Sequence, residues 1–329
     1  LKRSKIAFNK TQMFISQGIK PNNEFWRYLL GFLAVILASF VGQIPLLIGI
    51  AIKSTSYNIP FPTSNEAIMT FLEPNLTLFL VLLTYVAAMI GFYFVVKYFH
   101  QQTFIEVTTA RKKVDWNRIF FSFTIWSCIS ILSTVLAYYS NPENFVINFK
   151  PIPFLILALI ATVMIPIQTS VEEYLFRGYL MQGLAGLTKN RWLPLLLTSL
   201  IFGLLHLSNP EVNKMGYIIM IFYIGTGLFL GILTLMDDGM ELSLGFHAAN
   251  NLTGALLVTS DWSAFQTHSI LKDISEPTAG FDVILPVVVI FPILLFIFSK
   301  KYNWHNWKEK LTGTINNNTL NDNNTIQVL

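Results

Sequence analysis

The sequence predicts an all-α, polytopic transmembrane helix bundle, and three observations predict it. Of the 329 residues, 53% are hydrophobic and only 12% are charged, where a soluble protein averages about 25% charged. The charges lie between apolar runs of roughly 18 to 26 residues, long enough to cross a hydrocarbon core of about 30 Å as helices. The lysines and arginines are shared unevenly between alternate loops, as membrane insertion favours.

About eight spans are expected, at 26–52, 76–98, 119–139, 152–176, 193–208, 217–236, 242–260 and 282–299. Turn residues punctuate them, as in Ser140-Asn141-Pro142-Glu143 and Ser208-Asn209-Pro210-Glu211. The fourth run is atypical. Its apolar part ends near Gln168, but the helical pattern continues to about Leu187, too long for one simple span. The mixed segment Gln101–Arg118 reads as an interfacial helix. Asp237, Asp238 and Glu241 read as a solvated turn before the seventh span.

With the N-terminus in the cytoplasm, seventeen lysines and arginines fall inside and only four, Lys53, Lys150, Lys214 and Lys272, fall outside. That bias places both termini in the cytoplasm. The expected organisation is a cytoplasmic segment 1–25, one transmembrane domain 26–299 and a cytoplasmic tail 300–329. The tail is rich in Asn and Thr from about residue 312 and is expected to be disordered there. The first apolar run is too long for a signal-peptide core. Cys128 is the single cysteine, so no internal disulfide can form. The net charge of +4 comes from residues flanking the spans and points to anionic lipid; no nucleic-acid partner is expected.

Five ionisable groups fall well inside the expected spans: Glu172, Glu173, Arg177, His206 and His247. A charge at bilayer depth is costly and marks a functional or compensated position. Glu173 and Arg177 are four apart and share a helix face, so they can pair. Glu172 is rotated by about 100° and is free to face a cavity as a base. His206 follows Phe202 by four, so that ring can flank the imidazole. His247 precedes Asn251 by four, presenting two hydrogen-bond donors one turn apart, a candidate oxyanion pair. In this reading Glu172 and His206 deprotonate a water that attacks a peptide carbonyl. Helical rise puts His247 about 9 Å and His206 about 20 Å from the inner boundary, an offset that tilt or a deeper fifth span would have to close.

The motifs Glu172-Glu173-x-x-x-Arg177, Phe202-x-x-x-His206 and His247-x-x-x-Asn251, in this order, resemble those of the CPBP intramembrane proteases, the CAAX protease and bacteriocin-processing ("Abi") family. The core of the resemblance spans 166–255. It implies a glutamate-dependent intramembrane endopeptidase with no cofactor and no obligatory metal. Glu172 and His206 would activate water, His247 and Asn251 would form the oxyanion site, and Glu173 and Arg177 would support them. The implied partners are a peptide or membrane-protein substrate and the lipid bilayer. The implied location is a bacterial cytoplasmic membrane. The alternative from another class is a non-proteolytic scaffold or bacteriocin-immunity protein that uses the same cluster to fix helix packing. A metal-dependent variant lacks His-Glu-x-x-His. A transporter lacks a clear inverted repeat.

Overall fold

A computed structural model describes residues 13–20, 23–277 and 280–315. The chain is an all-α bundle whose long helices run back and forth between two ends. Helix α1 (Phe25–Tyr57) leads through the short α2 (Asn65–Phe71) to α3 (Pro74–Phe94), which ends in a π-helical turn at Val95–Phe99. The short α4 (Phe104–Thr108) precedes α5 (Trp116–Ser140). Next comes α6 (Pro151–Glu173), which passes through a π-helical turn, Tyr174–Leu180, into α7 (Met181–Thr188). Helix α8 (Trp192–Leu204) ends in a 3-10 turn, Leu205–Ser208, followed by α9 (Pro210–Met215), α10 (Met220–Asp237) and α11 (Glu241–Leu257). The last pass is α12 (Phe281–Leu285) leading into α13 (Phe291–Tyr302), and α14 (Trp307–Thr312) closes the described chain.

Six of these helical stretches are long and apolar enough to cross a membrane. Two further helices connect the same two ends: the apolar stretch Trp192–Ser208 and α11, 17 residues long. At 1.5 Å per residue, a helix of that length reaches about 25 Å, slightly short of a full hydrocarbon core. Rows of large apolar side chains on α1 face outward, including Leu29, Leu33, Leu37 and Ile44. In a bilayer such rows meet lipid, where a helix keeps its backbone polar groups bonded internally.

Small residues let the helices approach. A Cβ on Gly42 of α1 would come 2.6 Å from Thr84 Cα on α3. One on Gly245 of α11 would collide with the Ile119 carbonyl of α5. Small residues at helix crossings are the usual means of close packing in membranes.

One end of the bundle carries a three-stranded sheet in the order β1 (Phe145–Ile147), β3 (Leu271–Asp273), β2 (Val258–Ser260). There Glu73 pairs with His268 at 2.8 Å. The opposite end gathers the basic loops. Lys20 pairs with Glu106 at 2.7 Å, and Lys310 pairs with Asp238 at 2.7 Å.

That basic end departs from expectation in three ways. Between Gln101 and the start of α5, only Phe104–Thr108 is helical, started by a Thr103–Glu106 capping box. The chain then turns inward, because Arg111 and Arg118 reach buried acids. Asp237 and Glu241 do not form a solvated turn; their side chains are 2% and 0% exposed. Arg111 binds both, at 3.0 and 3.1 Å, and Arg118 also binds Asp237. Trp304 Nε1 donates to Asp237 at 3.1 Å. Two cations satisfy two buried acids, which makes their burial tolerable.

The third departure is the tail. Thr312–Ile315 are ordered: Thr314 bridges to Asn190, and Ile315 is buried. The rest of the disorder expected from about 312 falls on 316–329, outside the described residues, as do 1–12 of the N-terminal segment.

Candidate active site

The site begins on α6. Gln168 and Glu172, four apart, share one face, and Gln168 Nε2 donates to Glu172 Oε1 at 2.7 Å. Glu173 turns away from that face and is fully buried with Arg177, whose Nη1 donates to Glu173 Oε1 at 2.9 Å. Arg177 Nη2 donates to the Gly227 carbonyl of α10 at 3.1 Å. The Phe202 ring lies 4.3 Å from the guanidinium, a cation–π contact suited to a site without water. Gly227 allows this approach, since a Cβ there would sit 2.8 Å from the Ser199 carbonyl. The helix widens into its π turn directly after Glu173, a distortion that recurs at functional positions.

Helix α11 brings His247 between the two glutamates. Its Nδ1 lies 2.8 Å from Glu173 Oε1, and its Nε2 lies 3.4 Å from Glu172 Oε2. Nδ1 hydrogen-bonds Glu173, and Nε2 faces Glu172 across the longer gap. One turn later, Asn251 Nδ2 donates to Gln168 Oε1 at 3.0 Å. Asn251 Oδ1 accepts from Asn250, whose own Oδ1 accepts from Trp126 Nε1 at 3.1 Å.

His206 arrives from the 3-10 turn after α8. Its Nδ1 lies 2.8 Å from the Phe202 carbonyl. A carbonyl only accepts, so Nδ1 is the donor there, and the bond leaves Nε2 uncommitted. The imidazole stacks on Tyr223 with ring centroids 4.4 Å apart.

Glu172, His206, His247 and Asn251 line one cavity of about 740 Å³. Phe202 forms part of its wall, while Glu173 and Arg177 lie behind it. Among the described residues, no direct hydrogen bond joins Glu172 to His206; they meet across this cavity. His206 reaches it from the far end of a short α8, which accounts for its offset along the helices. No group of three or more His, Cys, Asp or Glu among the described residues is placed to hold a metal ion.

Comparison with known proteins adds a family. A model of the type II CAAX prenyl endopeptidase Rce1-like family matches residues 151–253, which hold all three motifs. A Bacillus subtilis (strain 168) protein, described as the uncharacterized protein YyaK, is 32% identical over 252 residues. The match covers 75% of this chain and 82% of that relative. The chain belongs to the Rce1-like family. No solved structure matches it.

Membership of the Rce1-like family makes this an integral membrane protein of the CAAX-type intramembrane protease kind. Around this cavity, sequence reasoning missed four side chains. Gln168 links Glu172 to Asn251; its signal was a polar residue four before a glutamate in an apolar run. Tyr85 of α3 lines the cavity beside Glu172, and Tyr223 carries the His206 ring. Both lie in runs expected as spans, and neither was singled out. Glu211 lines the same cavity but was read as a loop acid, since only the fold turns it inward.

Proposed function

We propose that this protein is an intramembrane endopeptidase of a bacterial cytoplasmic membrane, hydrolysing a peptide bond with water activated by Glu172 and His206. The observation that carries the reading is the shared cavity, which holds the partly accessible Glu172, a histidine whose Nε2 is uncommitted, and a donor pair on α11.

Water binds between the Glu172 carboxylate and His206 Nε2. As it attacks the substrate carbonyl, Glu172 takes its proton. The oxyanion receives hydrogen bonds from His247 Nε2–H and from the second amide hydrogen of Asn251, the first being held by Gln168. The proton on Glu172 then passes to the leaving amine, and both products carry complete valences. Glu173, fixed by Arg177, anchors His247 through Nδ1 and so aims Nε2 at the reacting atoms.

The test is cleavage by protein reconstituted in liposomes, with Glu172→Ala and His206→Ala beside the wild type. Each variant should insert normally and lose about 10²–10⁴-fold in rate. Full activity in both overturns the mechanism. Comparing the N-terminal peptides of a parent strain and a Glu172→Gln strain identifies the substrate. Complementation of a deletion by Glu172→Ala favours the scaffold or immunity alternative.

A further inference from the structure

Five side chains on three helices form one hydrogen-bonded series that ends on Glu172. It starts at Trp126 of α5, whose Nε1 donates to Asn250 Oδ1 at 3.1 Å. Asn250 Nδ2 donates to Asn251 Oδ1 at 3.0 Å. Asn251 Nδ2 donates to Gln168 Oε1 at 3.0 Å, and Gln168 Nε2 donates to Glu172 Oε1 at 2.7 Å. Every bond in the series points the same way.

That shared direction is imposed from both ends. An indole N–H can only donate, and an ionised carboxylate can only accept. Each of the three amides between them accepts through oxygen and donates through nitrogen. Turning one over would set N–H against N–H on one side and oxygen against oxygen on the other. Trp126 is held firmly: it is buried, and its ring centroid lies 4.3 Å from that of Phe246 and 6.0 Å from that of Phe291. A buried indole N–H needs an acceptor, and Asn250 is that acceptor.

The direction has consequences at the cavity. Gln168, Glu172, Asn250 and Asn251 line it, whereas Trp126 lies behind them. With the series running toward Glu172, Asn251 presents its amide hydrogens, one to Gln168 and one to a nascent oxyanion. Turned over, it would present a carbonyl oxygen, which repels an oxyanion. Gln168 likewise occupies Glu172 Oε1, so Oε2, on the side of His247, is the oxygen that takes the proton from water. After that transfer the carboxyl carries an O–H, and the Glu172 end no longer dictates the direction. Trp126 still does.

We propose that Trp126 is a positioning residue whose indole N–H, acting through Asn250, keeps Asn251 turned as a donor while the tetrahedral intermediate lasts. This rests on the reading of the cavity as the site of peptide hydrolysis. Trp126 itself touches no reacting atom.

The test uses the reconstituted full chain. Trp126→Phe keeps a ring against Phe246 and removes the N–H. It should lower kcat by about fivefold, the scale of one hydrogen bond, and leave KM nearly unchanged. Replacing Trp126 with benzothienylalanine swaps the N–H for sulfur at nearly constant shape and should reproduce the fall. A fall with Trp126→Phe alone is a packing defect and overturns the proposal. In an Asn251→Ala background, Trp126→Phe should cost nothing further in kcat, since the series is already cut. Side chains that do not touch are coupled in this way only through a shared network. An equal fall in both backgrounds overturns the proposal. Difference infrared spectra against Glu172→Gln isolate the Glu172 carboxyl band without turnover, and the benzothienyl protein should shift it. A shifted band in protein whose wild type cleaves no peptide removes the endopeptidase reading and leaves the directed series. An unshifted band with unchanged kcat overturns the series.

Discussion

Glu173 and His247 meet at 2.8 Å through Oε1 and Nδ1, and that same oxygen takes the 2.9 Å bond from Arg177. One carboxylate oxygen thus holds both a structural cation and the imidazole facing the cavity. Its partner oxygen, Oε2, is buried with no hydrogen bond among the described residues.

Glu173→Gln should therefore act first on stability. It leaves Arg177 charged and buried, a loss of about 3–5 kcal/mol. Adding Arg177→Met should restore much of this, since an apolar replacement of a buried pair is often nearly neutral. Thermal unfolding in one detergent checks both steps. Cleavage should stay low in the double variant, because His247 has lost its anchor.

Gln168→Leu should behave differently. It keeps a packed side chain but removes the bonds to Glu172 and Asn251. The expected result is a fall in kcat of about tenfold, the scale of one lost hydrogen bond to a charged group. KM and the melting temperature should change little. A purely structural role would lower the folded fraction and leave kcat per folded molecule unchanged.

Arg111→Ala should destabilise the basic end by about 3 kcal/mol. Glu241, fully buried, loses its only ion-pair partner among the described residues, whereas Asp237 keeps Arg118. Glu241→Gln in the same background should recover part of the loss. Paired melting curves decide it.

His100 gives a pH dependence. Its ring nitrogens face Asn23 Oδ1 at 2.9 Å and the Tyr179 hydroxyl at 2.6 Å. Burial, then the Arg27 charge, depresses its pKa from 6.5 to about 4. The unfolded chain binds this proton more readily, so stability from His100 is complete above pH 6.5. It is lost progressively as pH falls from there through about 4. His100→Phe should flatten the melting profile in that window. An unchanged slope assigns the effect elsewhere.

The passes of the bundle were legible because long apolar runs have few other solutions. Trp192–Ser208 and Tyr217–Asp237 lie within a residue of their expected limits. The shared face of Glu173 and Arg177 followed from a spacing of four. Asp237 and Glu241 misled because helix-terminal acids usually meet water, and nothing local announces arginines more than a hundred residues earlier. Glu211 was hidden for the same reason: its burial comes from a loop 53 residues away.

The ionic knot at the basic end also orders events in time. Asp237, on the turn between α10 and α11, is held by Arg111 and Arg118, made before it, and by Trp304, made after it. Lys310 then grips Met236 and Asp238. During synthesis the two helices that supply His247, Asn251 and the Arg177-binding carbonyl are inserted before their final clasp has left the ribosome. A chain stopped short of α14 would carry every proposed site residue and still lack the Lys310 contacts that tie α14 to the end of α10.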